Sequence, residues 1–208
     1  MKKFFATLAA VLMLSTTACA AQELPDNLTV MQALSQRQSD RNFVDRDLSE
    51  AQLLKILWAA NGINRPDGKR VNPAALGVYS VEVYAVTREG IYRYDEVANK
   101  LNPIAAGDYR MTTTTGQAFV GKAAVNLVYV ETPDAWLNSK HRTPSREHQL
   151  AFANITVGAM IQSVALAAQT EGLGNCVRGS INRDEFAKVA KLSADKTILL
   201  AQSVGHIK

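Results

Sequence analysis

The chain has 208 residues, 47% of them apolar and 20% charged, with 23 Lys and Arg against 19 Asp and Glu. A net charge of +4 with no long basic run excludes a nucleic-acid footprint. Two cysteines (Cys19, Cys176) and three scattered histidines (His141, His148, His206) lack metal-ligand spacing and exclude a disulfide framework.

The first twenty residues read as a targeting segment. Lys2 and Lys3 give a basic start, an eleven-residue apolar stretch from Phe4 to Leu14 admits only Thr7, and Ala18-Cys19-Ala20 offers a cleavage site. A permanent membrane span needs about 20 apolar residues, more than this stretch supplies. The expectation is a signal peptide over 1–20 and an exported, periplasmic protein. Cys19 completes half of a lipobox, with Thr16 where a branched apolar residue is usual, so the alternative is a lipid anchor through Cys19. The Lys pair, in place of twin arginines, points to export of the unfolded chain, so that any cofactor binds outside the cytoplasm. Cleavage lowers the net charge to +2 and leaves 188 residues, enough for one domain with a core of its own.

Residues 21–28 form a polar lead-in containing Pro25. Spacing predicts a helix over Thr29–Gln36 with Val30, Ala33 and Leu34 on one face. Ser49-Glu50-Ala51-Gln52 approximates a capping box for a second helix striped by Leu53, Leu54, Ile56, Leu57 and Ala60 and ended by Gly62. Trp58 falls on that stripe and is expected in the core. Pro66-Asp67-Gly68 marks a turn. Alternation over Val78–Val86 and Ile91–Tyr94, joined through Glu89-Gly90, predicts a hairpin.

Ala123–Val130 reads as a short buried strand, and Trp136, beside Pro133 and Asp134, as loop packing. The longest helix is expected over Glu147–Thr170, with Leu150, Ala153, Val157, Met160, Ile161, Val164 and Ala168 at three-four spacing. Small residues fill its opposite side, so it is apolar nearly all round and expected to be buried on most sides; in so small a domain that suggests a subunit interface. Asp184–Lys191 reads as a surface helix and Ile198–Val204 as a last strand. Mixed elements with a hairpin give an α+β class, in one domain over 29–208. Cys176 is expected to be a small buried residue, and Lys140-His141-Arg142 with Arg146-Glu147-His148 a solvated face around a helix start, or alternatively a substrate anion site.

No G-x-S-x-G, P-loop or G-x-G-x-x-G is present. The element that stands out is Arg37-Gln38-Ser39-Asp40-Arg41. Two guanidinium groups with a hydroxyl between them suit a phosphate, because arginine donates planar paired hydrogen bonds. Spacing alone favours a solvated charged turn.

The pattern resembles the R-x-S-x-R/K element of FMN-dependent nitroreductases. The resemblance continues through Leu57-Trp58-Ala59-Ala60-Asn61-Gly62, Pro73-Ala74-Ala75-Leu76-Gly77, the Tyr79 to Tyr84 strand, Gly158, Gln162 and Gly172-Leu173-Gly174, and covers residue 29 to the end. It implies a mostly antiparallel sheet flanked by helices, complete only as a homodimer with FMN bound between subunits. By resemblance, Arg37, Ser39 and Arg41 hold the flavin phosphate and ribityl chain, Pro73, Ala74, Ala75 and Gly77 form the flavin loop, and the backbone at Arg178-Gly179 approaches the ring. Chemistry in such proteins is mostly the flavin's, so no general acid or base is named. Three departures stand out: Ala74 in place of serine, Gly77 in place of asparagine, and a chain that stops at Lys208, where a basic segment is usual. Two readings follow: an FMN-dependent oxidoreductase acting on a small organic molecule, or a flavin-free binding or accessory protein on the same scaffold. Outside the cytoplasm NAD(P)H is scarce, so a quinone, a reductase partner or an oxidisable substrate is the expected exchange partner.

Overall fold

The computed structural model describes residues 28–137, 139–141 and 143–208; the expected signal peptide, Cys19 and nearly all of the lead-in lie outside them. Two short helices come first, α1 (Val30–Gln36) and α2 (Glu50–Asn61), each opened by a complete capping box, Thr29 with Gln32 and Ser49 with Gln52. Gly62 ends α2. The stripe expected for α1 is largely unburied: Ala33 packs inside, while Val30 is 67% exposed and Leu34 43%. Trp58, expected in the core, is 41% exposed and donates its indole N–H to Ile63 O at 3.1 Å, just beyond the end of the helix it belongs to.

The sheet follows. Strands β1 (Val81–Thr87), β2 (Gly90–Asp95) and β3 (Lys100–Ala106) form a meander, then come β4 (Val125–Glu131), a four-residue helix α3 (Asp134–Leu137) and the long α4 (Arg146–Thr170). Strand β5 (Leu173–Arg178), helix α5 (Arg183–Val189) and β6 (Thr197–His206) complete the chain. All pairings are antiparallel in the order β3-β2-β1-β4-β6-β5, giving the α+β class and antiparallel sheet that the resemblance implied. The hairpin stands where predicted; β3 and β5 were not foreseen. β4, central and β-branched, is buried at every position.

Two apolar layers hold the sheet. One face packs Val81, Val83, Ala85, Leu127 and Tyr129 against Ile56 and Leu57 of α2 and Val157, Met160 and Val164 of α4. The other packs Tyr84, Val86, Val128 and Val130 against Phe186 of α5. α4 is not buried all round in the single chain: Ala153, Val157, Met160 and Val164 face inward, whereas Ile155 is 71% exposed.

Burial raises the pKa of the Tyr84, Tyr94 and Tyr129 phenols, that of Tyr94 to about 12. A raised phenol pKa contributes stability that is complete below pH 10 and is lost as pH climbs through the folded-state value. Arg178 opposes this: burial lowers its pKa to about 10, so its contribution improves as pH rises from there to 12.5. Three phenols outweigh one guanidinium. Absorbance of tyrosinate followed with circular dichroism should show these three ionising only above pH 11, together with unfolding; ionisation of all six tyrosines near pH 10 with the fold intact would contradict the packing.

Candidate flavin site

Beyond α1 the chain leaves the helix extended at Arg37 and runs beside β5 and the C-terminus. Asp40 N–H donates to Asn175 O at 2.8 Å, Val44 N–H to His206 O at 2.8 Å and Lys208 N–H to Asn42 O at 3.1 Å, with Phe43 bridged to Ile207. Arg37, Ser39, Arg41 and Lys208 are thereby gathered along one edge of the sheet. Ser39, Arg41 and Lys208 are exposed and Arg37 half-buried, and among the described residues neither arginine has a carboxylate within ion-pair distance. Their donors remain free for an anion.

Gly174 permits this close approach. A Cβ there would lie 2.2 Å from Ile207 Cγ2 and 2.8 Å from Asp40 Cβ. Gly174→Ala should cost about 1–3 kcal/mol by overpacking, read as a lower urea midpoint, and should push the Arg37–Arg41 segment away from β5; an unchanged midpoint would mean the segment is not seated there.

Cys176, on the same strand, is buried; burial pushes its thiol up against the lowering influence of the Arg41 and Arg178 charges. It is a packing residue beside Phe43 and Ala123. Arg178 turns its side chain into the core. Its Nε donates to Ser203 Oγ at 3.0 Å, Nη1 to Thr113 O at 2.6 Å and Nη2 to Asn126 Oδ1 at 3.0 Å and Thr113 Oγ1 at 3.2 Å. What this position offers outward is therefore backbone, at the exposed Gly179. The Ser180 hydroxyl, next in line, bonds that of Thr115.

The second element, Pro73–Gly77, is set by a residue that sequence reasoning passed over. Buried Asn72 donates to both Ala59 O and Ala60 O at 2.8 Å, satisfying carbonyls in the last turn of α2, and accepts from Ser163 Oγ of α4 at 2.6 Å. From this anchor Pro73 is exposed, and Ala75–Gly77 makes a single 3-10 turn with Leu76 at φ 56° and Gly77 at φ 68°. Left-handed backbone at Gly77 accounts for the glycine, and Leu76 tolerates the same region at a cost.

The two elements join the sheet at opposite ends of β4. Pro73–Gly77 leads to Ser80, which accepts from Thr132 N at the end of β4, whereas Asp40 pairs with Asn175, opposite Val204 and so the start of β4. Six strand steps separate those ends, about 20 Å. The signal that could have revealed the supporting network is the polar content of interior strands: Asn126 in β4, and Gln202 and Ser203 in β6, all fully buried.

Comparison with known proteins agrees with this architecture. The Nitroreductase family model matches residues 34–206. A candidate nitroreductase from Ralstonia eutropha is 33% identical, with a TM-score of 0.78 over 87% of this chain and 84% of that one. A candidate nitroreductase from Methanocaldococcus jannaschii is 23% identical over 192 residues, 86% of this chain and 93% of that protein. An NADPH:FMN oxidoreductase from Vibrio harveyi, solved with NAD+, shares the fold at 20% identity and a TM-score of 0.63, over 86% of this chain and 69% of that one. The chain belongs to the nitroreductase family.

Proposed function

We propose that this protein is an FMN-dependent oxidoreductase that passes hydride equivalents to or from a small organic molecule. The observation that carries the reading is the pair of guanidinium groups, Arg37 and Arg41, held beside β5 with no carboxylate partner among the described residues. Together with the Ser39 hydroxyl they are a donor set that suits a phosphate monoester. Lys208 adds a cation on the same edge, and Gly179 presents backbone without a side chain. Pro73, Ala74, Ala75 and Gly77 supply a surface loop for the ring. When bound, FMN supplies the hydride chemistry, and the protein holds and orients it.

Ser80 and Asp40, which lie level with opposite ends of β4 about 20 Å apart along the strand, support a homodimer in which each flavin takes the arginine edge from one subunit and the loop from the other. Exposed Val30 and Met31 of α1 and Ile155 of α4 supply apolar surface for such an interface. A signal peptide over 1–20 places the enzyme in the periplasm, with a lipid anchor at Cys19 as the alternative. Either location favours an exchange partner other than NAD(P)H, although the Vibrio harveyi relative is named for NADPH. Ala74 and Gly77, which bring no side-chain donor, favour the second reading, a flavin-free binding or accessory protein.

An absorbance spectrum after incubation with FMN and desalting separates the two. The expected result is near-stoichiometric flavin in a dimeric species by light scattering. A colourless protein at every FMN concentration would sink the oxidoreductase reading.

A further inference from the structure

Arg178 carries a charge that the described residues leave unbalanced. It is buried, and its guanidinium reaches across β6 to β4, bonding Ser203 Oγ, Asn126 Oδ1 and both oxygens of Thr113. All four acceptors are neutral. Buried charges are ordinarily paired with opposite ones. Arg110, also buried, obeys that rule: it forks onto Asp108 at 2.9 and 2.7 Å and lies 3.4 Å from Asp45. Arg178 has no carboxylate within ion-pair distance among the described residues. Asp40, the acid on the segment beside β5, instead accepts from Gln38 Nε2 at 3.0 Å.

A cation that the fold leaves unbalanced can still be balanced by an anion bound nearby. Arg178 ends β5, directly before the exposed Gly179. The Cys176 thiol senses the charges of both Arg41 and Arg178, so the open arginine edge and the buried arginine form one positive field around β5. Their parts in it differ. Arg37 and Arg41 can touch a ligand, and salt screens them. Arg178 is buried with Nε and both Nη engaged, so it acts on a ligand only through its charge. In a low-dielectric interior a charge acts over distances that a hydrogen bond does not span, and salt screens it little.

We infer that Arg178 tunes the reduction potential of the bound cofactor, its unbalanced charge favouring the reduced flavin over the oxidised one. The inference rests on FMN binding along this edge with its ring at Gly179. Two electrons from the organic donor and one proton convert a neutral ring to one with a single negative charge. The guanidinium stays protonated throughout and holds that charge in place.

The test is the midpoint potential of FMN bound to the mature protein, read by dithionite reduction against a reference dye at neutral pH. Arg178→Gln should lower the ratio of reduced to oxidised FMN affinity about tenfold, which is about 30 mV for a two-electron couple. Asn126→Asp reaches the same loss by the opposite route. It keeps the guanidinium, sets a carboxylate where Nη2 now meets a neutral oxygen at 3.0 Å, and gives up one bond to Val120 O. Being isosteric, it serves where Arg178→Gln fails to fold. Arg178→Lys and Ser203→Ala lose hydrogen bonds but keep the charge, and should hold the native potential. An Arg178 that only supports the fold would weaken both oxidation states alike; an unmoved potential in Arg178→Gln or Asn126→Asp therefore overturns the inference. So does an equal drop in Arg178→Lys and Arg178→Gln, which would assign the effect to lost packing. A native protein that never takes up FMN overturns this inference together with the flavin reading, whereas flavin-loaded variants of unchanged potential overturn it alone.

Discussion

Arg178→Met should lower the unfolding free energy by about 3 kcal/mol. Arg178 is 4% exposed and spends its donors on four neutral oxygens, with no carboxylate in ion-pair distance among the described residues. Two effects compete. Removing the guanidinium relieves the burial cost that pulls its pKa down to about 10. It also leaves Thr113 O without its 2.6 Å donor and cuts the tie between the 110–117 segment and the sheet. Hydrogen bonds from a charged donor contribute about 1.5–3 kcal/mol each, so losing several outweighs the relief. Asn126 Oδ1 keeps a donor in Ser203 Oγ at 2.6 Å, which limits the loss. In urea the midpoint should fall by about 1–2 M for a slope typical of a domain this size. Arg178→Lys should recover less than half of the loss, because an ammonium cannot fork between strands β4 and β6 and the Thr113 backbone. A midpoint shift under about 0.3 M for Arg178→Met would show that the network is dispensable.

Arg37→Ala combined with Arg41→Ala should weaken FMN binding by about 100-fold or more while leaving stability within about 0.5 kcal/mol. The asymmetry comes from exposure. Ser39 and Arg41 lie at the surface and neither arginine bonds another described side chain, so the fold gives up little when they go. A phosphate gripped by both would lose two charge-assisted bonds, each about 1.5–3 kcal/mol. Exposed charges are screened, so the loss should shrink as salt is raised. Arg37→Lys alone keeps the charge and loses the planar fork, and should cost about tenfold. Fluorescence titration of FMN against each variant measures all three. Undiminished affinity in the double variant would remove the arginine edge from the site.

Where residues speak through local rules, the fold was legible. Ser49 with Gln52 predicted the start of α2, because a capping box is a local event that needs no tertiary context, while α1 was read from spacing alone and its Thr29–Gln32 box emerged only in the structure. The β1–β2 hairpin and β4 followed from alternation and from a β-branched run. β3 was hidden because Lys100–Ala106 carries Pro103 and small residues, which only a half-exposed edge strand tolerates. β5 was hidden because Gly174, Asn175 and Arg178 make a buried strand look polar; their partners lie on β4 and β6, far away in sequence. Trp58 misled for a related reason: a helical stripe reports a face but not its width, and Trp58 sits at the margin. The arginine edge could be named from its spacing plus resemblance, while the Asn72 anchor could not, since one asparagine carries no pattern.

The order of strands bears on when this chain can fold. β6, the last segment in sequence, lies inside the sheet between β4 and β5, and its end pins Asn42 and Phe43 near the start of the domain. A partial chain lacking residues 197–208 leaves β4 with an open edge and β5 with no neighbour in the sheet. Closure of the sheet therefore waits on contacts between the two ends of the polypeptide, which are slow to form because the intervening loop must close first. A chain emerging residue by residue, from a ribosome or through a membrane pore, completes its sheet only when its final strand is out. That delay would suit the export proposed above, in which the chain crosses a membrane unfolded and takes up its cofactor on the far side.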